Sequence, residues 1–120
     1  MNQNQLEQRT KNFALGVIRF VSDLPGNRIN ETLGNQLLRS GTSIGANYRE
    51  ANRAESKADF IHKISIVEKE SSETQYWLTL MDESNIGLAE ARKALLLESS
   101  ELLAIFTSTR KTSRMRYGKP

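Results

Sequence analysis

Between residues 60 and 81 the chain repeats a 4-3-4-3-4-3 spacing: Phe60, Ile64, Val67, Ser71, Thr74, Leu78 and Met81. This is a heptad seam, the pattern of near-aligned helices packed side by side. Small polar residues, Ser71 and Thr74, occupy the middle of the seam where large apolar residues would be usual. No other stretch alternates with the period of two that marks a half-buried strand. Only two prolines occur, Pro25 and Pro120, so long helices are permitted on either side of the first.

Helical periodicity extends through most of the chain. Leu6, Phe13, Val17, Phe20 and Leu24 define a first helix from about Leu6 to Leu24, stopped by Leu24-Pro25-Gly26-Asn27. A second helix is expected from an N-cap near Asn30 to about Arg53, with Leu33, Leu37, Ile44, Tyr48 and Ala51 on its apolar stripe. Gly41 lies in that stripe, one turn before Gly45. Each glycine costs ~1 kcal/mol against alanine inside a helix. The pair marks either a close helix crossing or a local weakness. Ser56 with Asp59 resembles a capping box opening the third helix. Asp82 to Gly87 reads as a turn, and a fourth helix follows from about Leu88 to Arg110. Its expected core face is Leu88, Ala91, Leu95, Leu102 and Ile105, beside a second stripe of Leu96, Leu103 and Phe106. A chain of 120 residues has room for one core. The fold expected is therefore all-α and single-domain: an antiparallel up-down-up-down four-helix bundle over residues 1–110, with a basic, flexible tail over 111–120.

Three helices carry more apolar width than one seam requires: Leu15 and Ile18; Ile66, Trp77 and Leu80; Leu96, Leu103 and Phe106. Such stripes face another chain, or else they widen an ordinary core. The first reading predicts a homo-oligomer whose interface includes Trp77, Leu96, Leu103 and Phe106.

Charge is unevenly placed. Seventeen basic and fourteen acidic side chains give a net of +3. Arg110, Lys111, Arg114, Arg116 and Lys119 are the five cations of an acid-free C-terminal segment, which leaves the rest of the chain at −2. With Tyr117 able to stack on an unpaired base, this segment is the candidate nucleic-acid-binding element, for RNA or single-stranded DNA. The opposing reading is a solubilising tail on a self-assembling scaffold that binds another protein. No cysteine is present, no run approaches a membrane span, and the polar N-terminus lacks a signal-peptide core, which together point to the cytoplasm. Asp59-x-x-His62 supplies one carboxylate–imidazole pair where a di-metal bundle needs two such pairs and further carboxylates. No metal, cofactor or enzymatic activity is expected.

A polar stripe, Ser40, Ser43, Asn47 and Glu50, borders the second helix's core face, with Ser40 falling level with Glu70 and Ser71 of the third and Ser43 with Val67; Ser71 and Glu73 are counted in the same layer. It reads as a hydrogen-bonded layer fixing helix register, with a ligand pocket as the competing reading. The stretch Leu37-Leu38-Arg39-Ser40-Gly41-Thr42-Ser43-Ile44-Gly45-Ala46-Asn47-Tyr48-Arg49-Glu50-Ala51 resembles the signature of the "four helix bundle protein" family. Phe60 and Glu70-Ser71-Ser72-Glu73-Thr74-Gln75-Tyr76-Trp77-Leu78 are similar to its third helix. That family includes bacterial proteins encoded by intervening sequences within large-subunit ribosomal RNA genes, and the similarity runs from about Phe13 to Phe106. The resemblance implies a four-helix protomer in a ring-shaped homopentamer. It also implies kinship with the accessory protein of diversity-generating retroelements, a basic pentamer that binds nucleic acid and a reverse transcriptase. Ser40, Ser43, Asn47, Glu50, Ser71 and Glu73 match as signature residues.

Overall fold

The computed structural model describes residues 1–117, with the backbone alone for Tyr117. These residues form four helices: α1 Gln3–Ser22, α2 Arg28–Ala51, α3 Lys57–Glu83 and α4 Ala89–Tyr117. Each packs against the next in the chain, and α4 closes back on α1 by a much thinner contact. The body measures 47 × 25 × 22 Å. At ~1.5 Å per residue, the 29 residues of α4 nearly span its long axis.

Local chemistry sets the helix ends. Asn2 and Gln5 form a reciprocal capping box, so α1 starts one turn before its apolar stripe does. Asn27, rather than Asn30, caps α2; its side chain accepts the Asn30 N–H at 2.8 Å. Ser56 caps α3 through the Asp59 N–H at 3.0 Å, while the Asp59 carboxylate accepts from Glu55 instead of completing the box on Ser56. At the other end of α3, Ile86 N–H reaches Met81 O at 2.9 Å and Asn85 N–H reaches Asp82 O at 3.2 Å. With Asn85 at φ 54°, this is a Schellman ending. Gly87, at φ +79°, then turns the chain flat against Phe20, where a Cβ would lie 2.6 Å from the ring.

The seam of α3 is buried as its spacing predicts. Ile64, Val67, Ser71, Thr74, Leu78 and Met81 are all fully covered, and Phe60 packs at the end of the row. In α1 the buried row Leu6, Thr10, Phe13, Val17 and Phe20 has the same rhythm, with Thr10 filling the gap in the apolar pattern. The α2 glycines mark a close crossing. Cβ atoms on Gly34, Gly41 and Gly45 would meet Val21, Val17 and Thr10 of α1 at 3.1–3.2 Å.

The fourth helix departs from expectation in two ways. Its buried row is Arg92, Leu95, Ser99, Leu102 and Phe106, continuing to Ser113. Two polar members hid this row, so Leu88 and Ala91, expected in the core, are exposed, and Phe106, expected at an oligomer interface, is fully buried in the protomer. Arg92 is tolerated inside because its guanidinium donates to the Asp82 carboxylate at 2.7 Å and to the Ile86 and Gly87 carbonyls at 3.0 and 2.9 Å. Second, Lys111 to Tyr117 are helical rather than a flexible tail. No proline or glycine interrupts the chain between Gly87 and Gly118, and the buried Ser113 anchors this last stretch.

Where α2 crosses α3, the Ser40 and Thr74 hydroxyls lie 2.9 Å apart inside the core, and Thr74 is 2.8 Å from the Glu70 carbonyl oxygen. Replacing Thr74 by valine leaves Ser40 without its cross-helix partner at constant shape. The expected loss is ~1–3 kcal/mol, read from denaturant melts. The double variant Ser40→Ala/Thr74→Val should lose less than the two single losses combined, because one bond is being removed twice.

Candidate nucleic-acid interface

The polar layer is smaller than the sequence suggests. Ser40, Ser71 and Thr74 are fully buried. Ser43 is half-buried and donates to its own helix at Arg39 O, as Asn47 does to Ser43 O. Glu50 is exposed. Glu73 pairs with Arg39 at the surface of the α2–α3 contact, and Glu70 lies 3.6 Å from the same guanidinium. Ser40 and Ser71 lie in the buried core, where Ser40 bonds across to Thr74 and Ser71 donates within its own helix to Val67 O; Asn47 is half-buried and Glu50 exposed.

The candidate interface residues also divide. Leu96 and Trp77 are half-buried against the protomer's own core, and Leu103 is half-buried beside Thr107 on the α3–α4 surface. Exposed Tyr76 lies beside Trp77 and Leu103, and other exposed apolar side chains are Leu15 and Ile18 on α1, Ile29 on α2, Leu88 before α4, and Leu97 and Met115 on α4. Leu88 lines a groove of about 420 Å³ between α1 and α4, floored by Phe13, Phe20, Leu24 and Leu95. The thin α1–α4 contact leaves it open.

Arg110, expected on nucleic acid, is occupied. Its guanidinium donates to both oxygens of Glu68 on α3. Lys111, Arg114 and Arg116 are exposed on the last turns of α4, whereas Lys119 and the Tyr117 side chain lie outside the described residues. Helix contacts show what surrounds these cations. Asn52 donates to Glu7, tying the end of α2 to the start of α1; Tyr48 packs on Phe106 at 5.2 Å; Glu68 holds Arg110. The start of α1, the end of α2, the start of α3 and the end of α4 therefore share one end of the body.

A separate group of cations does not stand out in the sequence. Lys11, Arg49 and Arg53 line a groove of about 510 Å³ between α1 and α2. Among the described residues, no carboxylate lies within ion-pair distance of these three or of Lys111, Arg114 and Arg116. Of the acids there, Glu7 is held by Asn52 and Asp59 by Lys63, while Glu50 and Glu55 are exposed. Elsewhere Arg9, Arg39, Arg92 and Lys93 are ion-paired, and Arg19, Arg28 and Lys69 are scattered singly. The i,i+4 spacing of Arg49 and Arg53 was the readable signal, since it puts both on one face of α2.

Among the described residues, no group of three or more His, Cys, Asp or Glu side chains could hold a metal ion, and no helix is long and apolar enough to cross a membrane. His62 is exposed, on the opposite side of α3 from the buried serines. Fold and surface together define an all-α four-helix protein with two groups of exposed cations, one in the α1–α2 groove and one on the last turns of α4. The chain belongs to the family described as "23S rRNA-intervening sequence protein", which it matches over residues 2–108. It is also similar to a protein of unknown function from the S23 ribosomal protein family of Bacteroides thetaiotaomicron VPI-5482. The two are 36% identical, with a TM-score of 0.79 over 92% of this chain and 99% of that one. No curated protein matches it.

The Arg110 and Arg92 pairs make stability acid-sensitive. Hydrogen bonds from Arg110 hold Glu68 below the usual carboxylate range, and those from Arg92 and Lys93 do the same to Asp82. Carboxylates depressed in the folded state stabilise it above their unfolded pKa, at about pH 4, and lose that contribution as pH falls through the folded value. Melting temperature should therefore drop below about pH 4. Arg110→Gln should flatten the drop; an unchanged acid profile would show that the pair contributes nothing.

Proposed function

We propose that this protein is a non-enzymatic, self-assembling accessory protein of the cytoplasm that binds nucleic acid, RNA foremost, through the exposed cations of its bundle. The observation that carries this reading is two groups of exposed cations outside any ion pair among the described residues, Lys11, Arg49 and Arg53 in the α1–α2 groove and Lys111, Arg114 and Arg116 on the last turns of α4. Ion-paired arginines elsewhere stabilise the fold and leave little charge to offer. Phosphate contacts from free lysine and arginine supply most sequence-independent affinity. The family's link to ribosomal RNA genes supports RNA as the first candidate.

The helix pairings fit an antiparallel up-down-up-down protomer, and we take the ring-shaped homopentamer as its assembly. The open α1–α4 groove with Leu88 on its rim, and the exposed Leu15, Ile18 and Leu97 outside it, are the uncovered apolar surface that favours association. The same surface supports a second reading, a scaffold that holds another protein and has no nucleic-acid role.

Light scattering coupled to gel filtration should give a pentamer mass, and Leu88→Glu/Leu97→Glu should shift it toward the monomer. A monomeric parent at tens of micromolar would remove the assembly claim. Binding of nuclease-treated protein to RNA across a salt series tests the function. Lys111→Gln/Arg114→Gln/Arg116→Gln should weaken binding and reduce the slope of log affinity against log salt by about 2, at ~0.7 per phosphate released. Arg110→Gln should leave binding unchanged. A parent protein that binds neither RNA nor single-stranded DNA at low salt would leave the scaffold reading in its place.

A further inference from the structure

The floor of the α1–α2 groove is made of small residues: Thr10 and Ala14 from α1, Thr42, Gly45 and Ala46 from α2. Gly45 brings the helices together at this point, since a Cβ there would lie 3.1 Å from the Thr10 hydroxyl. Without large side chains to fill it, the surface between the helices stays concave. Lys11 lies on the α1 wall; Arg49 and Arg53 lie on the α2 wall, one turn apart. All three line the groove with no carboxylate in ion-pair range among the described residues, and the Arg53 guanidinium donates to the Arg49 carbonyl at 3.4 Å. Asn4 and Gln8 add uncharged donors along the same edge. Glu7 is the one acid in the lining, and Asn52 Nδ2 holds its Oε2 at 2.9 Å.

We propose that this groove is a slot for the sugar–phosphate backbone of a single nucleic-acid strand, with Lys11, Arg49 and Arg53 as its phosphate contacts. The inference rests on the nucleic-acid reading above and gives it a site away from the α4 end. Shape selects the strand. A concave channel between two helices admits one thin backbone, whereas a duplex is engaged by elements that project into its own grooves. Chemistry sets the selectivity. No aromatic side chain lines the groove, so no base is stacked there, and affinity follows phosphate charge with little preference for sequence. Glu7 opposes the strand and moderates its binding.

The test is fluorescence anisotropy of the full-length chain with end-labelled oligouridine over a salt series. Arg49→Gln/Arg53→Gln removes two groove charges, and Arg28→Gln/Lys69→Gln removes two from outside it. The groove pair should lose about tenfold in affinity at low salt and about 1.4 in slope, while the outside pair stays near the parent. Glu7→Gln should tighten binding, an outcome that damage to the fold would not produce. Lys11→Gln repeats the loss from the opposite wall and covers the case in which the arginine pair disturbs α2. Unlabelled duplex DNA of equal length should compete poorly; competition equal to that of oligouridine would overturn the single-strand assignment. If the groove pair matches the outside pair and Glu7→Gln has no effect, the slot is refuted while the α4 end remains as the binding element. If the parent protein does not bind, both readings fail together.

Discussion

The rest of the structure depends on the close packing of α2 against two neighbours at once. Toward α1 it presents Gly34, Gly41 and Gly45, each nearly touching an α1 side chain. Toward α3 it presents Ser40, whose hydroxyl meets Thr74 in the core. A helix with three internal glycines is intrinsically weak, at ~1 kcal/mol each against alanine. Tertiary contact offsets that weakness: Leu37, Ile44, Tyr48 and Ala51, on the intervening positions, are all buried. Because both contacts require small residues at fixed heights, sliding α2 by one turn on either neighbour would put large side chains where glycines now fit. Register along α2 therefore places Arg49 and Arg53 beside Lys11.

Charge is sorted as sharply as packing. Arg92 sits almost fully buried, satisfied by one carboxylate and two carbonyls, and joins the α3–α4 turn to the bundle. Arg9 bridges α1 to α4 through Glu98 and Glu101, and Arg110 bridges α4 to α3 through Glu68. Arginine suits these positions because its planar fork meets a carboxylate with two donors. Of the unpaired cations, Lys11 lies in the first half of α1, while Arg49, Arg53, Lys111, Arg114 and Arg116 lie near the C-terminal turns of α2 and α4. Positive charge there is favoured by the helix dipole, so stability does not oppose its accumulation.

The third helix was legible in full, since its seam spacing, Ser56 cap and turn after Asp82 can be read directly from the chain. Gly41 and Gly45 were correctly suspicious as a close crossing, but which helix crossed there required the fold. The fourth helix was misread because its interior row includes Arg92 and Ser99. Apolar periodicity passes over a buried arginine whose partners are a carboxylate in the previous helix and carbonyls in a turn. That slip moved the predicted core by one stripe and assigned Phe106 to the surface. The proposed binding surface was half legible. Lys111, Arg114 and Arg116 stand out in an acid-free run, whereas Lys11, Arg49 and Arg53 are separated in sequence and converge only when α1 folds on α2. Arg110 looked free because Glu68 is forty-two residues away.

In the proposed assembly the weakest seam is the surface on which copies meet, and association changes the value of the exposed cations. α1 and α4 meet sparingly, leaving Phe13, Phe20, Leu24 and Leu95 beneath an open groove. In a closed ring every copy is related by rotation about one axis, so equivalent ends of the bundles fall on the same face. Three or four phosphate contacts from one protomer give modest affinity at physiological salt. Repeated around a ring, they act on one strand at high effective concentration, and avidity exceeds the single-site affinity without any new contact. On this reading the incomplete α1–α4 closure and the one-sided charge are parts of one design: the first sets the copies side by side, and the second aligns their phosphate contacts along a common face.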